Sequence, residues 1–95
     1  MEKDTLVTLI TTEGEFIGYF QELTEHFYVM KNARSIMIAE DGPQIAPNFS
    51  ITGISYPEDV SFNRSHVFAM IKSHETMEET FKEHLAEEKI AAESD

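Results

Sequence analysis

The chain opens with an apolar, β-branched run over residues 5–12, "TLVTLITT", which suits a strand. "TEGE" follows as a turn with Gly14 as its permissive residue. "EFIGYFQEL" reads as a second strand, and Gly18 in its middle predicts a sharp bend or a close approach of backbone. After a polar break at Glu25-His26, "FYVMKNARSIMIA" is a long third strand. Its ends are apolar and its centre, Lys31 to Ser35, is polar, so it is expected to curve across two environments. "EDGPQIAPNF" carries the densest turn chemistry in the chain. "SITGISYP" is expected as a fourth strand, ended or bulged at Pro57 because proline cannot donate to a ladder. "VSFNRSHVFAMI" then reads as a hairpin with apolar arms about a tight turn at Asn63–His66.

The last quarter changes period. Met77, Phe81 and Leu85 recur every fourth residue, the stripe of a helix lying along one groove. Its start is expected either at a capping box of Thr76 with Glu79 or one turn earlier at Ser73. Glu88 interrupts the stripe and Ile90 falls on the far side, so helical order is expected to fade near Glu88. The predicted fold is mainly β: a small, five-stranded, strongly bent antiparallel barrel over residues 1–72, then an acidic helix and tail over 73–95. Short bent strands with apolar edges invite aggregation unless the sheet closes or its edges pair between subunits.

Length and composition agree with one globular domain. The 95 residues are 41% hydrophobic and include seven Phe and three Tyr, too apolar for a disordered chain. No window is apolar enough to span a membrane. No basic segment leads into an apolar one at the start, so no signal peptide is expected. The absence of cysteine excludes disulfides and thiolate metal sites and suits a cytoplasmic protein. The net charge of −11 is opposite in sign to the usual footprint of a nucleic-acid binder. It is unevenly placed, however: eight acids and two lysines lie from Glu75 onward. Lys31, Arg34 and Arg64 fall near expected loops of the body, where a neutral or basic patch is compatible with the acidic tail.

Enzyme chemistry finds little support. The chain has no Gly-x-Ser-x-Gly, phosphate loop or dinucleotide fingerprint, and its four histidines assemble no nucleophile–base–orienter set. No enzyme activity and no cofactor are expected. His74 with Glu78 and His84 with Glu88 share helix faces, but each pair supplies two ligands where zinc wants about four, so no metal site is expected. The Met77–Phe81–Leu85 stripe is read as helix packing on its own barrel, with a partner's groove as the alternative.

The segment Leu6–Val29 resembles the first signature of the Sm-like (LSm/Hfq) family. Leu6, Thr8 and Ile10 occupy its alternating positions, "TEGE" its turn, Phe16 its apolar residue and Gly18 its second glycine. Phe20 and Leu23 follow at the family's spacing, and Thr24–Tyr28 is then the polar loop. Thr24 stands where the family has aspartate and Tyr28 where it has the base-reading asparagine, while His26 falls where a ring commonly stacks on a base. "FNRSHV" places an arginine near the second signature, offset by one residue and without its glycine. The first turn glycine is displaced to Gly14, and the helix follows the last strand where the family's precedes the first.

The resemblance covers residues 5–71 and is similar to an acidic branch of the family such as phage genomes carry, which would place the chain in a host cytoplasm. It implies a homo-oligomeric ring of about five to seven subunits closed by strand edges. It also implies a central pore lined by the loops Thr24–Tyr28 and Asn63–His66, with single-stranded RNA, or less readily single-stranded DNA, as partner and no membrane role. The implied binding residues are His26, Tyr28, Lys31, Asn63, Arg64 and His66, with His26 and Tyr28 stacking, Arg64 meeting phosphate or stacking, and Lys31 assisting. The plainer reading makes His26 a turn residue, Phe27 and Tyr28 core, and Arg64 a solvated tip. A different function class, an acidic module recruiting a basic partner through "EETFKEHLAEEK", is the alternative.

Overall fold

A computed structural model describes residues 1–47, 49, 52, 53 and 56–93. In chain order the elements are β1 (Leu6–Thr11), β2 (Gly14–Leu23), β3 (Phe27–Ala39), β4 (Gly42–Ile45) and β5 (Asp59–Asn63). A single 3-10 turn (Arg64–His66), β6 (Val67–Lys72) and α1 (Glu75–Glu93) complete the chain. The fold is mainly β, as the sequence predicts, with one C-terminal helix on a strongly bent antiparallel sheet. The described strands number six, one more than expected, and run β4-β3-β2-β1-β6, with β5 on β3 as well.

The bend has two causes. Asn32 takes a left-handed φ of 55° inside β3, a conformation asparagine tolerates better than most residues. The first half of β3 therefore pairs with β5, from Phe27↔Asn63 to Lys31↔Asp59, and the second half with β4, from Ile36↔Ile45 to Ala39↔Gly42. Across the sheet, the β2–β3 register shifts at Gly18, where an added Cβ would lie 2.9 Å from the Ala33 Cα. Gly18 thus marks a close backbone approach, which is what its position in the strand foretells.

Bending gives the sheet two buried faces. Val7, Leu9, Phe20, Met30 and Ala33 form the inner core, joined by Val60 and Phe62 of β5 and by Val67 and Met70 of β6. Strands at both ends of the sheet thus converge on one interior, which makes the fold barrel-like. Leu6, Ile17, Ile45 and Phe81 form a second core on the outer face, with Tyr19, Ile36, Met77 and Leu85 against it. Phe81 is completely buried, so the Met77–Phe81–Leu85 stripe packs on its own sheet. Ile90, at 66% exposure, does lie on the far side.

Several expectations are corrected. α1 continues to Glu93, past the point where order was expected to fade. Glu88 prolongs the stripe, since it lies three residues beyond Leu85 on the same face. It is buried and grips Arg34 of β3: Nε donates to Oε2 at 2.9 Å and Nη2 to Oε1 at 2.8 Å. Arg34 is itself buried, so it belongs to no loop patch. The helix is capped by His74, whose Nδ1 accepts from the Thr76 amide, while Ser73 is tied to Thr8 of β1 at 2.9 Å. Gly42–Ile45, expected as turn, is an edge strand on which the missing N–H of Pro43 is tolerated. The strand expected over 50–57 falls on Ser50, Ile51, Ile54 and Ser55, outside the described residues. Finally, β5 and β6 are no hairpin: β5 pairs with β3 and β6 with β1, and the 3-10 turn carries the chain between them.

Removing one member of a buried ion pair costs about 3–5 kcal/mol, because the other is left charged and unpaired. Glu88→Ala is therefore expected to remove a large share of a stability of roughly 5–15 kcal/mol, read by urea unfolding. The double change Arg34→Met/Glu88→Leu should recover most of that loss, which a merely solvated pair would not show.

Candidate nucleic-acid interface

The polar break between β2 and β3 is a built turn. The Thr24 amide donates to the Phe27 carbonyl at 2.8 Å, and the Thr24 hydroxyl accepts from the Phe27 amide at 2.9 Å and the His26 amide at 3.3 Å. A threonine hydroxyl can organise such a turn much as a short carboxylate does. The turn holds His26 and Phe27 out: both are exposed, their rings 6.4 Å apart and edge to face.

The connection between β5 and β6 is organised the same way. Asn63 Oδ1 accepts from the Ser65 amide at 2.9 Å and from its hydroxyl at 2.8 Å, capping the 3-10 turn. Basic and polar side chains, Arg64 and His66, then project from a rigid single turn.

Folding brings these two loops together. The Arg64 amide donates to the His26 carbonyl at 2.9 Å, and Arg64 Nη1 donates to the carbonyls of Thr24 at 3.1 Å and Glu25 at 3.3 Å. Arg64 therefore clasps the neighbouring loop by its backbone, and the other guanidinium nitrogens have no partner among the described residues. His26, Phe27, Asn63 and Arg64 consequently form one exposed ridge.

The remaining sequence candidates are placed differently. Tyr28 is half-buried and packs against the inner core, opposite Phe62. Lys31 stands four residues along β3, opposite Asp59, with its amine 3.7 Å from an exposed Glu58 carboxylate. His66 faces the β1–β2 turn, its Nδ1 3.5 Å from the Thr12 hydroxyl, beside an apolar cavity of about 250 Å³. Phe27 is the exposed ring that the sequence reading assigned to core in its plainer form. Strand alternation carries the signal: with Tyr28 and Met30 turned inward, Phe27 must face the other way.

The charge of the ridge is close to balanced, with Glu25 on one loop and Arg64 on the other. The acidic excess is concentrated on α1. Its His84 Nε2 stands 2.8 Å from Glu88 Oε2 but makes no hydrogen bond among the described residues. No group of three or more metal-ligating side chains occurs among the described residues. No described helix is long and apolar enough to cross a membrane. No protein-family model and no curated protein matches the chain.

Arg64→Ala should loosen the Thr24–Phe27 turn without unfolding the barrel. Amide hydrogen exchange at His26 and Phe27 is expected to quicken, with a stability loss of about 1–2 kcal/mol, the scale of hydrogen bonds from a charged donor. Unchanged exchange there would mean that the clasp is not formed in solution.

Proposed function

We propose that the chain is a subunit of an Sm-like homo-oligomeric ring that binds single-stranded nucleic acid, with RNA favoured over DNA. The observation that carries this reading is the clasp of Arg64 on the carbonyls of Thr24 and Glu25, which joins the two loops expected to line the pore. The strand arrangement supports it as well. β5 has β3 on one side only and β6 has β1 on one side only, leaving two edges free among the described strands for pairing between subunits.

Within that reading each residue of the ridge has a role. His26 and Phe27 offer rings to bases, and stacking is worth about 1–3 kcal/mol per base without demanding a particular sequence. The Arg64 nitrogens that have no partner among the described residues meet a phosphate, while its Nη1 keeps the loops registered. Tyr28 acts from the core by fixing the start of β3, and Lys31 contributes only long-range attraction, since Glu58 lies beside its amine. Repeating a weak site around an axis supplies avidity that one subunit lacks. The chemistry is binding; no reaction step is assigned.

The acidic module reading draws less support. The apolar face of α1 is spent on the sheet, and a glutamate row at Glu75, Glu79, Glu83 and Glu87 has nothing beside it that specifies a partner.

Fluorescence anisotropy with short U-rich and A-rich oligonucleotides at low and moderate salt tests the proposal. The double change His26→Ala/Arg64→Ala is expected to weaken binding by roughly tenfold or more, and affinity should fall as salt rises. Wild-type protein that binds neither oligonucleotide at low salt, or binding indifferent to the double change, would overturn it.

A further inference from the structure

The apolar cavity of about 250 Å³ beside His66 is the mouth of the barrel. Its walls are aromatic. Phe16 and Phe62, both half-buried, stand 5.0 Å apart and tilted by 58°, with Val67 beside them. Phe49 packs on both rings, at 5.8 Å and 6.4 Å, and holds them in place. The β1–β2 turn and the 3-10 turn meet at the opening, where the Thr12 amide donates to the His66 carbonyl at 3.0 Å. Thr12, Asn63 and His66 are exposed and supply a polar rim. Apolar walls with a few placed polar groups are the usual make-up of a small-molecule site, and barrel mouths are a common place for one.

Each group narrows what fits. An apolar cavity of about 150 Å³ in another protein is large enough to take up benzene, so this one has room for a substituted ring. Two tilted phenyl rings receive a third edge-on or offset. No lysine or arginine lines the cavity and Glu13 does, which disfavours an anion, a nucleotide's phosphates included. The Ser65 amide can only donate, so the Asn63 atom 2.9 Å from it is Oδ1, and the Ser65 hydroxyl takes the second lone pair at 2.8 Å. Asn63 is therefore left with Nδ2, whose N–H groups have no acceptor among the described residues. A ligand gains there by presenting an oxygen.

We infer that the barrel mouth is a binding site for a small, uncharged, planar aromatic molecule with an exocyclic carbonyl, its ring against Phe16 and Phe62 and its oxygen accepting from Asn63 Nδ2. The site is separate from the ridge. Arg64 reaches from the 3-10 turn to the carbonyls of Thr24 and Glu25, whereas Asn63 and His66 on either side of it line the cavity. A seated ring needs neither a bound strand nor a second copy of the chain. It holds the 3-10 turn against the β1–β2 turn, so ligand and clasp share one wall.

Amide NMR of the full ¹⁵N-labelled chain, titrated separately with acetophenone, toluene and benzoate, tests this. Acetophenone is expected to shift the amides of Thr12, Asn63, His66 and Val67 saturably and to bind about tenfold more tightly than toluene, the scale of one added hydrogen bond. Benzoate should bind more weakly than acetophenone. Asn63→Asp keeps the oxygen that caps Ser65 and replaces the donor by a second oxygen. It should reduce acetophenone to the affinity of toluene and leave toluene unchanged, with the rest of the barrel's spectrum preserved. Acetophenone that binds no more tightly than toluene, that shifts amides elsewhere only, or that binds wild type and Asn63→Asp alike would overturn the assignment.

Discussion

A buried guanidinium–carboxylate pair, Arg34 with Glu88, ties α1 to the bent strand β3. Taking a guanidinium and a carboxylate out of water is costly, and the interior repays that only when every donor finds an acceptor. Arg34 comes close to that condition, with acceptors for four of its five N–H groups among the described residues. Nε and Nη2 grip the carboxylate, and Nη1 donates to the carbonyls of Ala33 and Pro57 at 2.8 Å each. The Tyr56 ring stands 5.9 Å from its Cζ. The pair thereby joins three distant pieces of chain: the bent strand, the segment leading into β5 and the penultimate turns of the helix.

That joint explains how one short sheet buries both faces. Asn32 resets the alternation of β3, so Ala33 turns into the barrel and Arg34 turns out toward α1. Inside, small residues at Gly18 and Ala33 let the sheet fold on itself. Outside, Met77, Phe81 and Leu85 cover Leu6 and Ile17, with Glu88 at the end of the same stripe. The helix needs no partner for its apolar face. Exposed beyond these cores, among the described residues, are the outer edges of β5 and β6 and the ridge of His26, Phe27 and Arg64.

Much of this was legible in local pattern. The continuous apolar run of β1 matches a strand buried on both faces, with Val7 and Leu9 inward and Leu6 under the helix. The glycine in β2, the polar centre of β3 and the four-residue stripe of α1 each point to the feature found there. What escaped was set by long-range partners. Glu88 reads as a break in the stripe until Arg34, 54 residues earlier, is placed opposite it. The tight turn at Asn63–His66 looks like a hairpin because local sequence does not say that its arms pair with β3 and β1 instead. The inward turn of Tyr28 was readable only by counting alternation from Met30.

If, as proposed, the two clasped loops repeat around a closed ring and hold a single strand, assembly and ligand uptake must be seen together. Native mass spectrometry of the full chain, with and without a short single-stranded RNA, tests that most directly. The expected result is one closed assembly of several chains that takes up the oligonucleotide with a fixed number of strands per ring. A chain that remains monomeric, or a ring whose mass is unchanged by the oligonucleotide, would contradict it.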